Sequence, residues 1–305
     1  MEELRFNGRV AIVTGGGRGL GRAYASLLAS RGASVVVNDL GGGPFGGGSS
    51  RDPADQAAAE ITARGGIAIA NHGDVSSEAD AEALVAQATR EFGRVDILVS
   101  NAGIDRLVDF SAMSSQAFEH MVRVHLTGAF QVSRACWRQM AGQRYGRIVM
   151  ISSRAVFGLT AQAHYAAAKA GVIGLMRALS VEGRELGISV NAVMPGAWTR
   201  LNEAVFADSG LVPSSGARGW SPDLVAPAVA WLAHESCPIT GEILDVGAGY
   251  VGRAFFGLTR GLVSDDLTIE TIAENWLAIC DETGYAVPKH VRDVPLGNQS
   301  LNPDG

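Results

Sequence analysis

Tyr165 and Lys169 stand four residues apart in the stretch HYAAAKAG, and Lys169 is one of only two lysines among the 25 basic residues of the chain. A sequence that uses arginine almost everywhere it needs positive charge has placed an ammonium here. Residues i and i+4 share one face of a helix, and AAAKAGVIGLMRAL is made largely of good helix formers, so the ammonium is expected beside the phenol. At about 4 Å and an effective dielectric of roughly 20, that charge favours a phenolate by about 4 kcal/mol, or about three pKa units. The pair is therefore expected to bring the phenol from about 10 towards neutrality, where a general base is most useful. The bland alternative is an exposed lysine and a half-buried tyrosine that share a helix by accident.

The pair must be positioned by its surroundings. Short β-branched runs (RVAIVT, SVVVND, GIAIAN, DILVSN, RIVMIS, ISVNAVMP, EILDVGA) alternate with alanine- and leucine-rich segments: a helix to Ser30, Asp52 to Arg64, Ser77 to Phe92, Gln116 to Met140, Gln162 to Leu186 and Asp223 to His234. Buried strands alternating with helices predict an α/β doubly wound Rossmann fold, with about seven parallel strands and helices on both faces, over residues 1–250. After Gly249 the alternation stops, and residues 251–305 form a carboxyl-terminal extension. Within it, Ile269, Ile272, Trp276 and Ile279 recur at helical spacing, which predicts one amphipathic helix from Thr268 to Cys280 that covers its own core or a neighbouring subunit.

The first strand runs into TGGGRGLG, whose fixed points are Gly15, Gly19 and Gly21. Glycines there let backbone approach a pyrophosphate while a helix N-terminus supplies amide donors. Eighteen residues beyond Gly21, Asp39 ends the second strand, where an acid accepts hydrogen bonds from ribose hydroxyls and repels a 2′-phosphate. No basic residue immediately follows, so Asp39 favours NAD over NADP; a plain turn aspartate before Gly41 is the alternative. The intervening GGGPFGGGSSRDP, Gly41 to Pro53, reads as a flexible loop or a solvated insertion.

Composition narrows the function. Net charge is −6 with scattered arginines, which leaves nucleic-acid binding nothing to rest on. Cys136, Cys237 and Cys280 are far apart and odd in number, which argues against a disulfide framework or a cysteine-rich metal site and for a reducing, cytoplasmic setting. The start MEELRFNGRV lacks the features of a secretory leader, the end NPDG is no peroxisomal address, and no apolar run reaches membrane-spanning length. No metal is expected.

TGGGRGLG, SNAG at Ser100 to Gly103, the serine pair Ser152 and Ser153, and Tyr165 with Lys169, in this order, resemble the short-chain dehydrogenase/reductase family over roughly the first 250 residues. That resemblance implies Tyr165 as general acid/base, Lys169 on the nicotinamide ribose and a serine polarising the substrate oxygen. It implies cofactor contacts from Gly15, Arg18, Gly19, Leu20, Asp39, Asp74, Val75, Asn101, Ala102, Gly103, Tyr165, Lys169, Pro195, Gly196 and Thr199. Asp74 before SSEAD reads equally as a helix cap. His125 occupies the place of a frequent relay asparagine; it serves a water-mediated relay or is a packed core histidine. The strand end marks Ser153 as the catalytic serine, while the usual spacing to the tyrosine points to Ser152.

VVVNDLGG, GRAYA, RVHLTGAFQV, HESC, EILDVGAGYVGR and ENWLAICD carry a narrower resemblance, to the (3R)-hydroxyacyl-CoA dehydrogenase unit of peroxisomal multifunctional β-oxidation enzymes, which also act as hydroxysteroid dehydrogenases, and to free-standing bacterial relatives. It implies an acyl-CoA substrate, including steroid side-chain thioesters. Trp198, Phe206 and Trp220 offer apolar surface near a lid-like segment, and Arg154, Arg200 or Arg218 could meet CoA phosphates. A dehydrogenase of free hydroxysteroids or other apolar secondary alcohols is the alternative. A non-catalytic NAD-binding protein is a third reading, against which Tyr165, Lys169 and the serines stand together. The resemblance also implies a homodimer or homotetramer through the two long helices.

Overall fold

The computed structural model describes residues 3–199, 203 and 217–294. Eight strands form one sheet: β1 (Val10–Thr14), β2 (Ser34–Asn38), β3 (Ile67–Asn71), β4 (Ile97–Ser100), β5 (Gly146–Ile151), β6 (Ile188–Gly196), β7 (Ile243–Gly247) and β8 (Tyr250–Ala254). Their order is β3-β2-β1-β4-β5-β6-β7-β8, and the registered pairs from β3 to β7 are all parallel. The order reverses at β1 and β4, which opens a crevice at the carboxyl ends of these strands, where doubly wound sheets bind ligands. β1 and β5 are buried at every position, so VAIV and IVMI read in sequence as continuous apolar runs rather than alternating ones.

The eighth strand exceeds the expected seven. Ala248 and Gly249 both take positive φ (50° and 81°), the geometry of a two-residue hairpin, and the turn returns the chain as a short strand exposed at Tyr250 and Val251.

The helices are α1 (Gly19–Ser30), α2 (Asp52–Ala63), α3 (Glu78–Phe92), α4 (Ser115–Val122), α5 (Gly128–Gln143), α6 (Ala163–Glu182) and α7 (Ala226–Ala233). Ser77 caps α3 by accepting from Asp80 N at 3.3 Å, and Gly93 ends it in the left-handed conformation. The segment expected as one helix from Gln116 to Met140 is α4 and α5 joined by a π-helical turn, Arg123–Thr127. That wide turn carries His125 into the interior. Gly171 of α6 faces it: a Cβ there would lie 2.7 Å from Leu126, so only glycine allows this approach.

Beneath the sheet's amino-terminal edge, Asp96 is fully buried and accepts from Val10 N (2.9 Å), Arg94 (2.7 and 2.8 Å) and Arg9 (3.3 Å), which ties β1 to β4.

The chain divides into two compact units, residues 1–253 and 254–305. In the second, the amphipathic helix expected from Thr268 to Cys280 breaks at Asn275 into α8 (Ile269–Glu274) and α9 (Trp276–Ile279). Neither short helix has a buried residue, and Ile269 and Trp276 are exposed. No helix among the described residues is long and apolar enough to cross a membrane.

Candidate active site

The crevice is a cavity of about 640 Å³. Of the sequence-predicted site residues, Gly15, Arg18, Gly19, Leu20, Asp39, Asp74, Val75, Asn101, Ala102, Gly103, Ser153, Tyr165, Lys169, Pro195 and Thr199 line it. Gly196 does not; it packs against Arg154 and Trp220, where a Cβ would come within 3.1 Å of each side chain.

The glycine turn is shaped by close approach. A Cβ on Gly21 would lie 2.1 Å from Gly15 O, and one on Gly15 would lie 2.9 Å from Ala102 Cα. Asn101 locks the turn to β4 by donating to Thr14 O (2.9 Å) and Gly15 O (3.1 Å), while Thr14 Oγ1 accepts from Asn101 N and Ala102 N. Gly103 is required because a Cβ would meet His125 Cε1 at 2.4 Å.

Asp39 is both a turn residue and a clamp. Its Oδ1 accepts from Gly41 N at 2.8 Å and its Oδ2 from Gly17 N at 3.0 Å, and Arg18 lies 3.8 Å away while donating to Gly42 O. The loop after Asp39 is exposed at Phe45 and from Gly47 to Ser49 but is held at two points. Asp105 N donates to Pro44 O at 3.0 Å, and Gly46 packs against His120 and Ile104, so the loop arches from β2 to the segment after β4 and forms part of the cavity wall. Asp74 makes a local turn by accepting from Ser76 N and Oγ, both at 2.8 Å; the helix cap is Ser77, three residues on.

At the other end of the cavity, the two serines part company. Ser152 Oγ is buried and donates to Lys169 O at 2.9 Å, which anchors β5 to α6. Ser153 Oγ accepts from Ala155 N at 3.1 Å and hydrogen-bonds with Tyr165, so Ser153 is the hydroxyl at the phenol. Lys169 is buried, donates to Ile151 O at 2.7 Å, and holds its Nζ 5.6 Å from the Tyr165 ring centroid.

Burial brings the Lys169 ammonium down to about 8, with the nearby Asp105 charge opposing that shift. Tyr165 departs from expectation. Burial of its hydroxyl pushes it above its ordinary value, the Asp105 charge adds to the rise, and the Ser153 hydrogen bond only partly opposes it. The ammonium expected to pull the phenol down is committed to a backbone carbonyl, and desolvation of the phenolate outweighs it.

His125 is a packed residue. Its Nε2 lies 2.7 Å from Ile104 O, its ring meets Tyr165 edge to face at 5.2 Å, and burial holds it neutral. Its Nδ1 has no hydrogen-bond partner among the described residues.

Asp105 and Gln162 escaped the sequence reading. Asp105 is buried, with both carboxylate oxygens accepting from Gln162 Nε2 (2.9 and 2.8 Å) and Oδ1 also accepting from Arg106 N (2.8 Å). An acid directly after NAGI was the only local signal.

Of the expected substrate contacts, Phe206 and Arg200 lie outside the described residues, as does the Arg218 side chain. Trp198 N donates to Trp220 O at 2.7 Å, and Arg154 is paired with Asp245 rather than presented to a phosphate. Apolar surface comes instead from Leu159 on the cavity wall and exposed Phe157 beside it. No cluster of metal-ligating side chains occurs among the described residues.

Residues 9–209 match the short chain dehydrogenase family. Peroxisomal multifunctional enzyme type 2 of Mus musculus is 43% identical over 299 residues, covering 96% of this chain and 40% of that protein, so the chain spans well under half of this relative's length. A short-chain type dehydrogenase/reductase of Mycobacterium tuberculosis is 40% identical over 281 residues, covering 92% of this chain and 96% of the relative. Among solved structures, full-length peroxisomal multifunctional enzyme type 2 from Drosophila melanogaster superposes with a TM-score of 0.78 at 32% identity, over 95% of this chain and 48% of that one.

Proposed function

Because the chain belongs to the short-chain dehydrogenase family, related to peroxisomal (3R)-hydroxyacyl-CoA dehydrogenase domains, we propose that this oxidoreductase converts a 3-hydroxyacyl-CoA to a 3-oxoacyl-CoA with NAD. The observation that carries the reading is the meeting of Ser153, Tyr165 and Lys169 at one end of a cavity whose other end is the glycine turn and Asp39.

The wall fits a dinucleotide. Gly15 and Gly21 let the turn fold tightly on itself and on Ala102, where any Cβ would clash, and the amino end of α1 opens onto the cavity. Gly15, Arg18, Gly19 and Leu20 would hold the pyrophosphate region. Asp39, Asp74 and Val75 would hold the adenosine, with Asn101, Ala102 and Gly103 beside them. Pro195, Thr199, Tyr165 and Lys169 would hold the nicotinamide end. Asp39 supports NAD over NADP, since its carboxylate repels a second phosphate and Arg18 beside it is already engaged. When bound, the oxidised nicotinamide supplies the hydride acceptor and a positive charge.

Ser153 orients the substrate oxygen, and Tyr165 takes the proton of the substrate hydroxyl. Lys169, held by Ile151 O, keeps a fixed cation on the Tyr165 side of the cavity. In the reverse direction the same phenol, in its protonated form, donates its proton to the carbonyl oxygen.

A long or steroidal acyl group is supported by the apolar Phe157 and Leu159 at the wall. That same surface favours the second reading, oxidation of free hydroxysteroids or other apolar secondary alcohols. Self-association through α4–α5 and α6 is supported by Phe118, Phe130 and Val181, which these helices leave exposed. A reducing, cytoplasmic setting is supported by three free cysteines.

The deciding experiment follows NADH formation at 340 nm with a long-chain or steroid-side-chain 3-hydroxyacyl-CoA and with the same alcohol as its free acid. Much faster turnover of the thioester is expected. Equal rates would overturn CoA recognition and leave the apolar alcohol as substrate.

A further inference from the structure

Among the described residues Asp105 is the one buried carboxylate on the catalytic wall, and the proposed proton transfer gives it no part. It does not sit there by default. Gln162, immediately before α6, donates to both of its oxygens, Arg106 N donates to one, and its own N–H is tied to Pro44 O of the arching loop. Two other chain segments therefore meet Asp105, Gln162 holding its carboxylate and Pro44 its backbone, in a cavity that Tyr165 and Lys169 also line.

Burying a carboxylate is costly, and a site that only needed packing would carry an apolar side chain instead. Its electrostatic influence reaches both catalytic groups, adding to the rise of Tyr165 and opposing the fall of Lys169.

We propose that Asp105 is a positioning residue for the reaction, supplying the buried negative charge against which the Lys169 ammonium and the Tyr165 hydroxyl are balanced. This rests on Tyr165 as the proton acceptor but not on the thioester substrate. With the carboxylate present, the ammonium has a counter-charge in the cavity and the phenol ionises to the accepting phenolate only at higher pH. Without it, the cavity carries an uncompensated cation, and Tyr165 ionises more readily.

Other charged or titratable groups also face this cavity. Lys169 and Tyr165 come from α6, along with His164, which burial and the Arg106 charge keep neutral. Arg106 adjoins Asp105 on its own segment. From α4 and the π-helical turn come His120, Arg123 and the neutral His125, with His120 and Arg123 hydrogen-bonded to each other at 2.9 Å. Among the described residues Asp105 is thus the sole acid lining this end, and Asp39 and Asp74 belong to the cofactor end.

The test compares pH profiles of kcat for wild type, Asp105→Asn and Gln162→Met, using any secondary alcohol the enzyme oxidises, so that loss of the thioester reading leaves it standing. Asparagine keeps the shape and removes the charge. The pH of half-maximal oxidation is expected to fall by about one unit in Asp105→Asn. Gln162→Met, which leaves the carboxylate without its amide, is expected to move it the same way by less. A 13C titration of the Asp105 carboxyl in cofactor-free protein reads the charge directly and is expected to show a midpoint near 6. An Asp105→Asn profile superimposed on wild type, or a carboxyl that stays protonated throughout the pH range of activity, would overturn the proposal. Where Asp105→Asn does not fold, an unchanged Gln162→Met profile overturns it equally.

Discussion

Asp105 makes a prediction about stability that needs no substrate. Burial lifts its carboxyl from the usual 3.8 to about 6, despite the hydrogen bonds from Arg106 N and Gln162. Between those values the unfolded chain releases the proton while the folded chain keeps it, so folded protein binds more protons than unfolded and stability falls as pH rises. The shift of about two units, at about 1.4 kcal/mol each, makes the loss on the order of 3 kcal/mol. That stability is fully present below about pH 3.8, and it is gone above about pH 6. Asp105→Asn has no such proton. The difference in unfolding free energy, wild type minus variant, should therefore drop by about 3 kcal/mol between pH 4 and pH 7, which for a chain of this size is about 5 °C in Tm. Urea unfolding followed by tryptophan fluorescence at half-unit pH steps measures it. Two curves that run parallel across this range would refute the reasoning, because a carboxylate without a lifted proton affinity contributes no slope of its own.

The remaining expectations concern other parts of the molecule. Tyr165→Phe should lower kcat by about a hundredfold to ten-thousandfold with little change in the KM for NAD, checked by initial rates at 340 nm. Gly21→Ala pushes a methyl to 2.1 Å from Gly15 O, so it should displace the glycine turn, weaken dinucleotide binding at least about tenfold and cost about 1–3 kcal/mol, checked by calorimetric titration and melting. Asp39→Asn removes the carboxylate that repels a 2′-phosphate and should raise the NADP-to-NAD ratio of kcat/KM at least about tenfold. Asp96→Ala leaves Arg9 and Arg94 without their shared acid and Val10 N without its acceptor; about 3 kcal/mol of stability should be lost with cofactor affinity unchanged, since Asp96 lies at the opposite sheet edge.

Much of the scaffold was legible because parallel strands buried on both faces write themselves as short β-branched runs, as VAIVT and SVVVN do. The glycine turn and Asp39 were legible for the same local reason: both are fixed by the end of one strand and the start of the next helix. The eighth strand was not, since YVGRA is mostly exposed and contains a glycine and an arginine. The π-helical turn at Arg123–Thr127 has no periodic signature; it is set by how α4 and α6 pack around His125 and Leu126. The break at Asn275 likewise splits a helical pattern that periodicity alone joins. The Asp105–Gln162 contact spans 57 residues and connects a loop to the turn before a helix, so no window of sequence contains it. Tyr165 teaches the sharper lesson. Spacing gave it a cationic neighbour, but the sign of its shift depends on how completely its hydroxyl is desolvated, and burial is a sum over the whole fold.

The charges at the catalytic end limit one another. Lys169 keeps its proton below about 8 and Asp105 loses its proton above about 6, so only between those limits are both ionised and the pair neutral overall. Above the window the ammonium is lost and the lone carboxylate opposes a phenolate; below it the carboxylate is neutral and the ammonium acts unopposed. Inside it, Tyr165 holds its proton, as burial and Asp105 both dictate. A phenol in that state is an acid ready for a ketone oxygen. To act as a base on an alcohol it would need added positive charge nearby, which an oxidised nicotinamide, were it held there, would supply beside Lys169.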